Sequence, residues 1–150
     1  MQGYNCIIAA SPDRTKLLFC KRRRDPYKGL YNFVGGHIEA GESGEDAAYR
    51  ELFEETGITR ADITLRHLMD FTYYNQGCYV EAWCGRLQHE VALREEAHPL
   101  EWLDITGDRD FFTMKEFAGE GNIGHMIEQL RQFGEGGEPP LAFGENIESC

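Results

Sequence analysis

The stretch from Gly36 to Ile58 reads GHIEAGESGEDAAYRELFEETGI. Ser43 is a good helix N-cap, Asp46 stands at the reciprocal position of a capping box, and Gly57 is placed to close the far end in a left-handed conformation, so a helix is predicted between them. On that helix Glu51, Glu54 and Glu55 fall at i, i+3 and i+4 and share an arc of roughly 100°. Ala48, Leu52 and Phe53 fall on the side away from most of that arc, which predicts one buried stripe and one acidic face. Three carboxylates this close repel one another at neutral pH. A stable cluster implies a cation, and the small hard ions that take oxygen ligands, Mg²⁺ or Mn²⁺, suit it.

Before the helix, YNCIIAA (residues 4–10) and KLLFC (16–20) are short β-favouring runs joined by the turn-forming SPDRT, and YNFVGG reads as a brief strand that ends in Gly35 and Gly36. After it, ITLRHLMDFTYY and CYVEAWCGRL flank the turn residues Asn75, Gln76 and Gly77 and predict two antiparallel strands. The polar segment from His89 to His98 is predicted as a loop, followed by a short strand around Leu100 to Leu103. Ile123, Met126, Ile127 and Leu130 recur at helical spacing, with Gly134 as terminator, so a second amphipathic helix is expected to cover the sheet. Residues 134–150 are rich in Gly, Glu and Pro and form a tail in which Leu141 and Phe143 offer docking contacts.

The chain has 150 residues and is most simply one domain, with a core expected over residues 1–133. The five cysteines are odd in number and widely spaced, and no signal-like apolar stretch precedes them, which fits a reducing cytoplasm. No apolar run approaches the roughly 20 residues that span a bilayer, so no membrane partner is expected. A net charge of −11 argues against a nucleic-acid polymer as partner, because phosphate backbones are held by Lys and Arg. A small anionic ligand held through a metal is compatible with that charge.

Written as a pattern, the segment is G-x5-E-x7-R-E-U-x-E-E-x-G-U, where U is apolar, and Gly36, Glu42, Arg50, Glu51, Leu52, Glu54, Glu55, Gly57 and Ile58 occupy the fixed places. This resembles the Nudix box without departure at any fixed position. Beside it, Tyr31 stands where the family often has Trp, and Val34 where Pro often precedes the two glycines. The resemblance implies the α+β class in the form of an α/β/α sandwich, a mixed β-sheet flanked by helices. It implies a Mg²⁺- or Mn²⁺-dependent hydrolase that cleaves a nucleoside diphosphate linked to another group, with a nucleotide as its partner and homodimers common.

Residue by residue, the resemblance implies Glu54 and Glu55 as principal metal ligands, Glu51 as a further ligand or the group that activates water, and the carbonyl of Gly35 as a metal contact. In members that clear oxidised guanine nucleotides, a further metal-binding Glu lies six residues before a Trp, and here Glu96 stands six before Trp102, with Glu95 as the adjacent alternative. In the same members an Asn near the start of the last helix reads the base, which nominates Asn122, although Asn122 also suits a plain N-cap. From the residues themselves, Arg50 and Glu54 are an i, i+4 pair, so Arg50 is a candidate to orient a catalytic carboxylate. The glycines at 35 and 36 permit close backbone approach. Lys21 and Arg22, Arg23 and Arg24, at the exit of a strand, suit the outer phosphates or, equally, an edge-strand guard. Phe71, Tyr73, Tyr74 and Trp83 suit a stacking wall or the core.

A nucleoside triphosphate pyrophosphohydrolase acting on oxidised guanine nucleotides, releasing a monophosphate and pyrophosphate, is the favoured reading. Tyr74, sixteen residues after the box, resembles a mark of dinucleoside polyphosphate hydrolases, and no Pro in that neighbourhood supports the usual ADP-ribose type. A nucleotide-sensing domain without chemistry would be expected to lose one of Glu51, Glu54 and Glu55, and this chain keeps all three. An isoprenoid diphosphate isomerase, which resembles the same fold, would need an added catalytic cysteine in a longer chain.

Overall fold

A computed structural model of the chain describes residues 1–133. The expected tail at 134–150, with Gly134, Leu141 and Phe143, lies outside the described residues. β1 (Gln2–Ala10) is buried from Asn5 onward, the mark of a strand covered on both faces, and it pairs in parallel with β5 (Cys78–Arg86) from Gln2 opposite Cys78 to Ala10 opposite Arg86. β2 (Lys16–Lys21) runs antiparallel to β1 and to the two-residue β3 (Tyr31–Asn32) along one edge and to β6 (Leu100–Asp104) along the other, so that Leu17 lies between Ala10 and Leu103 and Cys20 between Asn32 and Leu100. β4 (Arg66–Tyr73) pairs antiparallel with β5 and forms the outer strand. A single-turn 3-10 helix at Tyr74–Gln76 and Gly77, left-handed at φ 66°, joins the two where a turn was expected.

The strand period of two divides the core between two helices. Ile7, Ala9, Leu18 and Trp83 face α1 (Gly44–Thr56), which contributes Ala48 and Leu52. Cys6, Ile8, Leu17, Phe19 and Ala82 face α2 (Asn122–Phe133), which contributes Ile123, Met126, Ile127 and Leu130. The result is the mixed sheet between helices that the sequence led us to expect. Leu52 is fully buried, and truncating it to Ala would cost about 2–5 kcal/mol through lost transfer energy and the cavity left behind. No helix among the described residues is long and apolar enough to cross a membrane.

α1 starts as predicted: the Ser43 hydroxyl accepts the Asp46 N–H at 3.1 Å, and Gly57 ends the helix at φ 81° with its N–H on the Phe53 carbonyl. Two local expectations need correction. The Asp46 carboxylate takes the Arg60 guanidinium at 2.7 Å in place of the reciprocal cap, and Phe53 is 45% exposed, covered only in part by the Arg94 guanidinium over its ring. The YNFVGG strand is also shorter than expected. After Asn32 the chain leaves β2 and crosses to β1, where the Ile7 N–H bonds the Val34 carbonyl at 2.8 Å and the Asn5 N–H bonds the Gly36 carbonyl at 2.9 Å. That crossing sets the Gly35–Gly36 pair against the end of α1 that carries the glutamates.

Candidate active site

The acidic arc of α1 faces inward. The Glu51 side chain is only 13% exposed, and a Cβ on Gly36 would come within 2.5 Å of its Oε1. Glu55 is half-buried and accepts the Gly35 N–H on Oε2 at 2.9 Å. Glu54 alone keeps a solvent face, at 55% exposed. Glycine is required opposite them: a Cβ on Gly35 would overlap the Asn5 backbone carbonyl, and Gly36 donates its N–H to Asn5 Oδ1 at 2.9 Å. Asn5 was not anticipated as a site residue. Its signal was a polar side chain inside the apolar run of β1, where burial demands a partner.

Arg50 is the hub. It clamps Glu42 through Nε to Oε2 at 2.7 Å and Nη2 to Oε1 at 2.9 Å, reaches Glu51 at 3.1 Å and Glu54 at 3.2 Å through Nη1, and donates to the His37 carbonyl at 2.9 Å. The sequence suggested its contact with Glu54, and the structure adds the stronger fork on Glu42. That fork holds the Glu42 carboxyl down at about 2. Burial pushes the other way on the helix: the Glu51 carboxyl is raised, chiefly by desolvation and against the pull of Arg50, and Glu55 is raised to about 7 by desolvation, against the Gly35 N–H.

Three carboxylates therefore stand around one guanidinium, with Glu55 beside them on the same helix. This surplus of hard oxygen donors fits Mg²⁺ or Mn²⁺, with Glu51, Glu54 and Glu55 as the residues that would hold it. The three do not draw their oxygens to within 4.8 Å of one another, so the arrangement suits ions that keep several waters better than one tight cage.

The other nominated residues divide. The 89–98 loop reaches the site through Ala97 and His98, which line a narrow crevice with Glu55, Cys20 and Leu100. Glu96 itself is 53% exposed and pairs with Arg94 at 3.1 Å, while Glu95 accepts the Leu100 N–H at 2.8 Å. Arg94 in turn seals the C-terminal end of α1, its own N–H on the Thr56 carbonyl and its guanidinium on the Phe53 carbonyl. Of the basic run, Arg22 donates to the Pro26 carbonyl at 2.6 Å and its charge is felt at Glu55; Arg23 uses its backbone N–H on His98 Nδ1 at 3.0 Å. Among the described residues no carboxylate pairs with Arg22, Arg23 or Arg24, which leaves three guanidinium groups beside the site.

Asn122 does not cap α2. It is the first helical residue, and its amide donates to the Tyr73 hydroxyl at 2.6 Å. Phe71 packs on the α2 side of the sheet, whereas Trp83 lies on the α1 side stacked on His67 at 4.6 Å, so the four aromatics form no single wall. Tyr74 is 81% exposed in the turn.

Comparison with known proteins agrees with this geometry. The NUDIX domain model matches residues 2–125. The chain belongs to the NUDIX family. It is 32% identical over 96 residues to the 8-oxo-dGTP diphosphatase of Escherichia coli, covering 63% of this chain and 74% of that protein. It is 46% identical over 43 residues to the ADP-ribose pyrophosphatase of Methanocaldococcus jannaschii, covering 29% of this chain but only 25% of that protein's length. A MutT structure from a study of Aliivibrio salmonicida and Vibrio cholerae superposes with a TM-score of 0.65 at 25% identity, over 88% of this chain and 98% of that one. The two relatives named are a diphosphatase and a pyrophosphatase, and the chain spans only part of the length of each.

Proposed function

We propose that the domain, residues 1–133, hydrolyses nucleoside triphosphates to a nucleoside monophosphate and pyrophosphate, with oxidised guanine nucleotides as preferred substrates. The observation that carries the reading is the glutamate set on α1, in which half-buried Glu51 and Glu55 pack against Gly36 and Gly35 and Arg50 holds Glu51 and the more exposed Glu54. Mg²⁺ or Mn²⁺, when bound, supplies charge neutralisation on the phosphate oxygens and a water acidic enough to attack near neutral pH. Glu54 and Glu55 are its principal holders, with the Gly35 carbonyl and the loop acid Glu96 as further contacts. Glu51 accepts the proton from the attacking water or shares in holding the ion. Arg50 keeps Glu51 and Glu54 oriented. Arg22, Arg23 and Arg24 bind the outer phosphates, and Asn122, with Tyr73, contacts the base.

The preference for oxidised guanine is supported by the Escherichia coli relative, whose length the chain mostly covers. The free thiols at Cys6, Cys20, Cys78 and Cys84 support a reducing, cytoplasmic setting. The reading is tested by incubating the protein with Mg²⁺ and a panel of 8-oxo-dGTP, ordinary triphosphates, dinucleoside polyphosphates and ADP-ribose. Pyrophosphate release from triphosphates supports it. Turnover confined to ADP-ribose or dinucleoside polyphosphates moves the domain to those hydrolases, and binding without turnover makes it a sensor. Glu54→Gln should lower turnover by about a thousandfold or more with the fold intact, because it keeps the shape and removes a charge the ion needs; a near-normal rate at saturating Mg²⁺ rules out the role given to Glu54.

A further inference from the structure

β4 does not run regularly against β5. His67 stands opposite Trp83 and Asp70 opposite Glu81, and Leu68 is inserted as an extra residue between His67 and Met69. On a regular strand, residues three apart point to opposite faces. The bulge cancels that alternation and brings His67 and Asp70 to the face that carries Glu81 and Trp83. The ligand atoms of His67, Asp70 and Glu81 consequently lie within 4.8 Å of one another. Among the described residues they are the one such trio, and they stand apart from the box glutamates: Gly44, against which Glu81 packs, precedes Glu51 by seven residues, about 10 Å along the helix.

Two features set these three apart from a chance surface cluster. Asp70 and Glu81 are directly opposed on neighbouring strands, a like-charge pairing that destabilises a sheet, and neither has a Lys or Arg partner among the described residues. The surroundings also hold them in place. The His67 ring stacks on Trp83 at an interplanar angle of 13°, the Trp83 indole N–H donates to Glu81 Oε1 at 3.0 Å, and His67 Nε2 lies 2.5 Å from Asp70 Oδ1. A Cβ on Gly44 would overlap the Glu81 carboxylate, so that residue gives the acid its room. One imidazole with two carboxylates, each oriented by a neighbour, is a donor set for a borderline divalent ion, since imidazole suits Zn²⁺ where Mg²⁺ prefers oxygen alone.

We propose that His67, Asp70 and Glu81 form a second metal site, separate from the hydrolytic one, that takes Zn²⁺ with a water in the remaining position. Such an ion clips the bulged outer strand to β5 beside the first turn of α1, and relieves the opposition of Asp70 and Glu81.

The test is calorimetric titration of the full chain with Zn²⁺ in excess Mg²⁺, which keeps the box glutamates engaged. One equivalent of Zn²⁺ should bind, and His67→Gln and Asp70→Asn should each weaken it by about tenfold or more, with Glu54→Gln close to wild type. Because His67 and Asp70 are both more than 40% exposed, their replacement should leave the fold unchanged by circular dichroism. Quenching of Trp83 emission by Co²⁺, read in a Trp102→Phe background, locates the ion without altering any ligand. Absence of saturable Zn²⁺ uptake by the wild type, uptake unaltered in both variants, uptake lost only in Glu54→Gln, or Co²⁺ binding that leaves Trp83 emission unchanged would each overturn the proposal.

Discussion

The Gly35 backbone N–H and the Glu55 carboxylate meet at 2.9 Å, joining the loop before α1 to the last turn of that helix. The bond favours the ionised acid, yet burial outweighs it and lifts Glu55 from 4.5 to about 7.

A raised carboxyl makes the folded state the better proton binder, so its contribution is complete below pH 4.5 and is lost as pH rises through about 7. The metal-free protein should lose stability between pH 5 and pH 8 by up to ~3 kcal/mol, less where water screens the site. Glu55→Gln should flatten that slope. Mg²⁺ should restore the melting temperature at pH 8 and do little at pH 5, where the proton competes. Melting curves with and without chelator across this range provide the check.

Gly36→Ala should fold and fail. Its new methyl falls on Glu51 Oε1, the end of a side chain that can swing away, and displacing a catalytic carboxylate by about 1 Å costs on the order of a hundredfold in turnover. Gly35→Ala is harsher, because the obstacle there is the Asn5 backbone. Steady-state rates for the first and denaturation midpoints for both will separate the two effects.

Arg50→Lys retains the charge and loses the fork. Lysine can serve one of Glu42, Glu51 and Glu54 at a time, where arginine serves all three. Turnover is expected to drop roughly 10–100-fold, with a lower urea midpoint at unchanged m-value. Normal kinetics in this variant would remove Arg50 from the positioning role.

Asn122→Ala removes the donor on the Tyr73 hydroxyl. For a guanine nucleotide KM should rise about tenfold with kcat little changed, the size of one hydrogen bond, while a pyrimidine triphosphate should respond less. Equal loss on every base would mean that the pair supports the fold of the cleft without reading the ligand.

The helix from Ser43 to Gly57 was legible because caps and a 3.6-residue period are local. The carboxylate set came with it, as did the alternating strands and the apolar spacing of Ile123 to Leu130. The facing of Glu51 and Glu55 was not legible: it depends on residues 34–38 leaving β2 to pair with β1, a choice made by contacts some thirty residues apart. Phe53 looked like core because its cover, Arg94, lies 41 residues further on. The placement of Trp83 opposite to Phe71, and the convergence of His67 with Asp70, rest on the register of β4 and a single extra residue at Leu68, which hydrophobic alternation alone does not betray. The Arg50–Glu42 fork escaped because eight residues separate a helix from a loop whose path no local rule fixes.

Because Arg50 also grips Glu42 and the His37 carbonyl, the strap from Gly35 to Glu42 cannot lift from the protein while the helix stays whole. The amides of Gly35, Gly36 and Glu39 should therefore exchange with deuterium in step with the middle of α1, as one cooperative unit, rather than at the rate of an ordinary surface loop. Protection that survives there under conditions where other connecting segments exchange freely would reveal a rigid cradle built around a single guanidinium.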